Sequence, residues 1–278
     1  MTVNLYLPLT TYPDPLEERD IGAVIAIARH LGASVTGAGV EVDIPDLKNK
    51  LAEALIHLQD QIRAAERTSR AHSERLLSVL ERLGKEGGVT VTAERFRAHP
   101  AFLDEAIVNH SRFHDMVVLP LPKDDMTAAG TAEALVFGSG RPVLLLPPSV
   151  SPPGNLGTVV FATDFGRVAT RAMFDAHPFF MRAEKVYAVT VTDEKAVSQG
   201  NRTALAAHFE RHGIPFEPVE LEAKGTAAGE VLQNFADKMG TGLMVMGAFG
   251  HSRVREFVLG GVTNTVLHNL RHPVLMSY

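Results

Sequence analysis

The chain has 278 residues, a net charge of −5 at pH 7, 45% apolar residues and no cysteine. That size and apolar content suit one large or two ordinary domains with a real core, and the diffuse acidic balance argues against nucleic-acid binding as the main task. Lack of cysteine excludes disulfides, thiolate metal sites and cysteine nucleophiles, and fits a reducing compartment. No apolar run approaches the ~18 residues of a membrane helix. The first residues, MTVNLYLPLTTYPDP, lack the basic and apolar regions of a signal peptide. The expectation is a soluble cytoplasmic protein with no membrane partner.

In chain order, Val3–Leu7 reads as a first buried strand. From Asp46 to Leu83, apolar residues recur at helical spacing, but the middle (Thr68, Ser69, His72) is polar. One long helix or two helices with a break would fit, either as a packing surface or as a solvated excursion over 46–84. Met116–Pro120 is a strand, followed by a loop, a helix around Ala132–Leu135 and a Pro-led strand from Arg141 to Leu145. A Pro/Ser/Gly-rich linker, 147–155, comes next. The second half then gives strand 158–163, a helix from Val168 to about Ala176 with Pro178 as stop or kink, and strand 186–191. Helix 199–212, strand 216–221, helix 227–239 and a glycine-punctuated segment from 241 to 278 complete it.

The two halves end alike. Met116–Pro120 with Arg141–Leu145 is echoed by Met244–Gly247 with His272–Met276. We therefore read two copies of one unit, 1–152 and 153–278. Strands alternating with helices imply parallel strands with right-handed crossovers, hence two doubly wound α/β sheets. In such sheets ligands sit beyond the carboxyl ends of the strands. Asp164 and Gly247 both fall just past strand ends, so they can face one site.

The glycines carry the chemistry. Leu243–Met246 runs into Gly247; Gly250 follows after two residues; after nine more come Gly260, Gly261, Val262, Thr263 and a helical pattern. Glycine lets backbone approach a ligand, and a helix start directs N–H groups at an anion such as a nucleotide phosphate. Arg253 could clamp a phosphate or be a solvated loop residue. The pairs His208/His212 and His110/His114 have metal-ligand spacing but no evident third ligand, so surface histidines are the simpler reading and no metal is assigned. Ser252 has no identifiable base, and the phosphate-loop pattern ending in lysine is absent, so no catalytic residue is assigned.

The second half resembles the universal stress protein family. The motif is glycine, two residues, glycine, nine residues, glycine and a hydroxyl residue after the fourth strand, with an aspartate closing the first strand. Gly247, Gly250, Gly260, Asp164 and the closing Pro273-Val274-Leu275 match it. With the repeat, the chain looks like a tandem member of two five-stranded, mainly parallel sandwiches of the adenine nucleotide alpha hydrolase-like type. The resemblance implies an adenine nucleotide, ATP with Mg²⁺. Asp164 and Val189 would lie on the nucleoside side, and Met246, Gly247, Gly250, Gly260, Gly261, Val262 and Thr263 on the phosphate side. Gly261 stands where the family has Ser or Thr. Losing that charge-assisted hydrogen bond, worth roughly 1.5–3 kcal/mol, would weaken ATP about ten- to hundredfold.

The first half departs further. Its strand runs into Pro120-Leu121-Pro122, where two N–H groups are missing, and the equivalent of Asp164 falls near Leu9 or Thr10. It is expected to be a structural or partner-binding copy without nucleotide. The resemblance also implies an intramolecular pseudo-dimer through the closing strands 143–146 and 274–277, and leaves a homodimer and an unknown protein partner open. Three functions follow: a nucleotide-binding stress or signalling protein, a nucleotide-free interaction module using the 46–84 helix, and a weak ATPase.

Overall fold

Every strand–helix alternation expected from the sequence is present in the computed structural model, which describes residues 3–44, 56–122, 125–147, 156–192, 198–248 and 261–278. Two compact units divide the chain, Met1–Val118 and Leu119–Tyr278.

The first unit comprises β1 (Asn4–Thr10), α1 (Glu18–Leu31), β2 (Ser34–Val42), α2 (Ile56–Gly87), β3 (Val91–Ala98), α3 (Leu103–Ser111) and β4 (Met116–Pro120), the strand in which it ends. Its strands lie in the order β3-β2-β1-β4, and the β2–β3, β1–β2 and β1–β4 pairs are parallel. Helix α1 starts where the Asp20 carboxylate accepts the Glu17 N–H at 3.0 Å, and it stops at Gly32, whose φ of 63° is the left-handed conformation glycine adopts readily.

The polar middle of the long helix does not break it. Helix α2 is continuous through Thr68, Ser69 and His72, and the start of the expected element, 46–55, lies outside the described residues. Between Ser69 and Leu80 the helix is also not a solvated excursion. Leu76, Leu77 and Leu80 are buried, and so are the hydroxyls of Ser69 and Ser73. Two glycines on β2 make this contact: a Cβ on Gly37 would fall 2.1 Å from Leu80 Cδ2, and one on Gly39 would fall 2.2 Å from Ser73 Oγ. Bare backbone at those positions lets the helix seat directly on the strand.

Ser69 completes a small hydrogen-bond network. The Thr11 hydroxyl donates to the Val40 carbonyl at 2.6 Å, so its single proton is committed. The Ser69 hydroxyl therefore donates to Thr11 Oγ1, at 2.6 Å, while its oxygen accepts the Val42 N–H at 2.9 Å. His72 Nδ1 lies 2.8 Å from the Thr11 carbonyl, which can only accept, so Nδ1 carries the proton there. These side chains satisfy backbone groups where β1 and β2 leave the ladder.

The second unit contains α4 (Met126–Gly138), β5 (Val143–Leu146), β6 (Thr158–Ala162), α5 (Arg167–Asp175), α6 (His177–Phe180), β7 (Lys185–Val191) and α7 (Gln199–Arg211). It continues with β8 (Phe216–Leu221), α8 (Ala228–Met239), β9 (Leu243–Gly247), α9 (Val262–His268) and β10 (Val274–Ser277). The strand order is β5-β10-β9-β6-β7-β8, parallel except for the antiparallel pair of β5 with β10. The repeat breaks near residue 152, but the closing strand of the first copy, β5, pairs with the closing strand of the second: Leu144 opposes Leu275. This pairing groups β5 with the second unit. The linker itself, 148–155, lies outside the described residues.

Pro178 acts as expected. Helix α5 ends at Asp175, and the proline sits in the first turn of the separate α6, where no N–H is needed. Adjacent residues of β7 reach opposite faces of the sheet: Tyr187 packs edge-on against Phe235 of α8 at 5.6 Å, whereas Ala188 lies on the α7 side. On that side Phe161, Phe180, Phe209 and Phe216 form an aromatic cluster with ring separations of 5.1–6.3 Å. Arg271, just before β10, binds Glu230 and Asp237 of α8 at 3.1 and 2.8 Å and so fixes that helix against the closing strand. Among the described residues, no helix is long and apolar enough to cross a membrane.

Candidate functional site

The strand registers bring four of the sequence-predicted residues to one end of the sheet. Ala162, the last residue of β6, lies opposite Val189 of β7 on one side and Met246 of β9 on the other. Asp164 is two residues past Ala162 and Gly247 is one past Met246, so both stand at the carboxyl edge where ligands bind in this architecture. Val189 also accepts the Thr163 N–H at 2.9 Å through its carbonyl, which extends the ladder one residue toward Asp164.

Asp164 is not the cap of α5; Gly166 is. The Asp164 carboxylate instead accepts the Gly166 N–H at 2.7 Å, folding the chain into a turn over two residues. A Cβ at Gly166 would fall 2.8 Å from Asp164 Oδ1, so a side chain there would push the carboxylate out of this position. Between them Phe165 has φ 58°, a left-handed conformation that is costly for an aromatic residue, and its N–H donates to Thr163 Oγ1 at 3.0 Å. Backbone strain of this kind concentrates at functional sites. The turn holds the carboxylate half-buried at the strand end.

Gly247 has a structural reason to be glycine. A Cβ there would lie 2.5 Å from the Ala169 nitrogen and 2.6 Å from the Val168 carbonyl carbon, both backbone atoms of the first turns of α5. The helix crosses the strand end at contact distance. Met246 is buried between Ala162 and Met276.

On the phosphate side, Gly261 is the cap of α9, Val262 its first residue, and Thr263 is buried. The first closed hydrogen bond of this helix runs from the Thr265 N–H to the Gly261 carbonyl at 3.1 Å. Gly250 and Gly260, with His251, Ser252 and Arg253, lie outside the described residues. One residue at this edge was missed in the sequence: Arg167, first in α5, places its guanidinium 5.4 Å from the centre of the Tyr278 ring, which is itself packed on Phe137 at 4.9 Å. No sequence pattern ties 167 to 278; only the return of β10 beside α5 does.

The same edge of the first unit is built differently. Leu5 pairs with Met116 and Val35, as Val159 pairs with Leu243 and Val186. Counting along from these pairs puts Thr10 in the place of Asp164, within the expected range and without a carboxylate. In the segment Pro120-Leu121-Pro122, the one N–H, that of Leu121, donates to the Leu146 carbonyl at 2.8 Å.

Residues 175–277 match the Universal stress protein family. The chain carries a universal stress protein domain. The universal stress protein fold extends beyond that segment. A universal stress protein from Archaeoglobus fulgidus superposes with a TM-score of 0.69, covering 99% of this chain and 95% of its own at 14% identity. A functionally unknown protein from Pseudomonas aeruginosa gives 0.58, covering 99% and 92% at 15% identity. At such identities the likeness is one of fold. No curated protein is significantly similar in sequence.

The histidine pairs of this chain are occupied in packing. His110 stacks on Phe96 at 3.9 Å and His114 leans on Tyr6 at 4.6 Å. His208 lies 4.7 Å from His212, and His212 lies 5.2 Å from His177. Among the described residues no group of His, Asp or Glu could hold a metal ion.

Proposed function

We propose that the second unit binds an adenine nucleotide at the carboxyl edge formed by β6, β7 and β9, and that occupancy alters its affinity for a protein partner. The observation that carries this reading is the convergence of Asp164, Val189 and Gly247 on neighbouring register positions, with the strained Phe165 turn holding the carboxylate in place. The residues present fit the nucleoside part: a carboxylate for ribose or base hydroxyl and amine donors, beside apolar Val189 and Met246. Gly247, Gly250, Gly260, Gly261, Val262 and Thr263 would face the phosphates, with Mg²⁺ held by the phosphates themselves. When bound, ATP supplies charge and shape to the edge. The sequence lacks the lysine that ends a phosphate-binding loop, which favours a nucleotide-responsive binding protein over an ATPase.

The first unit is proposed to lack such a site, on the strength of Thr10 in place of Asp164 and the proline-flanked end of β4. The interaction-module reading loses part of its surface, because the apolar residues of α2 from Leu76 to Leu80 are spent on β2. The test is calorimetric titration of nucleotide-free protein with ATP and Mg²⁺, beside Asp164→Ala and Gly250→Val. About one site per chain, weakened in both variants, supports the assignment; no binding by the unaltered protein overturns it. Gly247 is unsuitable as a test, since its substitution would displace α5.

A further inference from the structure

We propose that the second unit holds a further ligand site, away from the nucleotide edge: a slot between α7 and strands β7–β8 that takes a flat aromatic monocation. The first unit shows how this interface closes when it is meant to. There, Gly37 and Gly39 let α2 seat on β2. The pairing registers align those glycines with Ala188 and Thr190 of β7. Side chains at both positions hold α7 off the sheet. The helix is buried fully only at Phe209, near its end, where the aromatic cluster pins it. Toward its start a cleft of about 590 Å³ opens beneath it.

The shape and lining set the ligand class. A helix standing off a sheet leaves a flat gap, floored here by Ala188 and Pro218 and roofed by Ala206. Phe165 and Phe216 close its ends with aromatic surface. Three charges line it. Arg202 and Glu220 pair with each other at 2.6 Å, and no ion pair engages Glu210 among the described residues. The net lining charge is negative, so a cation is favoured and an anion opposed. Thr190 and Thr203 offer hydroxyls to ring substituents. The volume accommodates a fused two- or three-ring molecule within the range of ordinary ligand pockets. The slot lies on the face of β7 opposite Tyr187 and comes nearest the nucleotide edge at Phe165 and Thr190.

The experiment is fluorescence titration of the purified full chain, freed of nucleic acid and nucleotide, with proflavine, a planar aromatic monocation. Saturable binding at one site per chain is expected, with naphthalene-2-sulfonate, an anion with a flat ring system, binding at least about tenfold more weakly. Ala206→Leu fills the slot from the loosely packed helix and is expected to reduce proflavine affinity about tenfold or more without shifting the melting temperature. Glu210→Gln should weaken proflavine severalfold. Gly250→Val should leave it unchanged, so failure of the nucleotide site and failure of the slot are read separately. Absence of proflavine binding, equal binding of the anion, undiminished binding by folded Ala206→Leu, or displacement of proflavine by ATP would each overturn the proposal.

Discussion

Gly39 lies directly beneath Ser73: a Cβ on the glycine would stand 2.2 Å from the serine hydroxyl oxygen. The pair sets how closely α2 approaches β2. Gly39→Ala is therefore expected to destabilise the protein by about 1–3 kcal/mol through overpacking. Ser73 Oγ is buried without a hydrogen-bond partner among the described residues, so Ser73→Ala alone should cost little. Combined, the second change removes the atom that the first one strikes. Chemical denaturation of the four proteins in this double-mutant cycle should show the Gly39→Ala penalty reduced in the double variant. Additive effects would mean that the helix can move away freely.

Ser69 holds two strand ends at once, and its loss is not comparable to that of Ser73. Ser69→Ala leaves the buried Val42 N–H without its acceptor and Thr11 without its donor. A cost of about 1–3 kcal/mol is expected. Comparing its unfolding midpoint with that of Ser73→Ala separates a bonded from an unbonded buried hydroxyl on the same helix.

Tyr6 presents the opposite case. Its ring is fully buried and its hydroxyl has no partner among the described residues. Burial, with a smaller contribution from Glu94, pushes the phenol well above its usual range, so it is neutral throughout ordinary conditions. Tyr6→Phe removes an unsatisfied group while keeping the ring against His114, and should leave stability unchanged or raise it by up to about 1 kcal/mol. Thermal melting would reveal a loss if the hydroxyl were in fact supporting the core.

His208 makes stability depend on acidity. Burial, then the nearby charges of His212, Arg211 and His177, push its imidazole below the ordinary value of 6.5. The unfolded chain therefore takes up this proton before the folded one does. The contribution is fully present above pH 6.5 and is lost as pH falls through that value toward the lower folded one. Melting temperatures measured between pH 7.5 and 5 should fall on the acid side, and less steeply in His208→Gln. An identical slope in the variant would place the acid sensitivity elsewhere.

Much of the fold could be read from sequence because its signals are local. The continuous apolar strands β6, β7 and β9, the glycine and proline stops around Gly213, Pro215 and Gly240, and the repeated Pro-led closing strands each announce themselves within a few residues. The seat of α2 could not be read so. Its stripe looked broken at Ser69 and His72, and only the glycines of β2, some thirty residues earlier, make hydroxyls fit there. At the candidate site, Asp164 and Gly247 were legible from position after a strand. The turn at Phe165 and the room left by Gly166 were not, since they answer to one carboxylate rather than to a period. The reason for Gly247 was read as room for a ligand; the atoms that forbid a side chain there belong to α5.

Because α7 is anchored chiefly by Phe209, the helix need not open as a unit. Its amides from Gln199 to about Ala206 should trade their hydrogens for deuterium early, in local excursions far cheaper than global unfolding, while those around Phe209 and throughout the seated part of α2 stay protected. Two helices at matching places in one duplicated design would thus keep different clocks, one breathing at its leading end and the other released only when its whole unit comes apart.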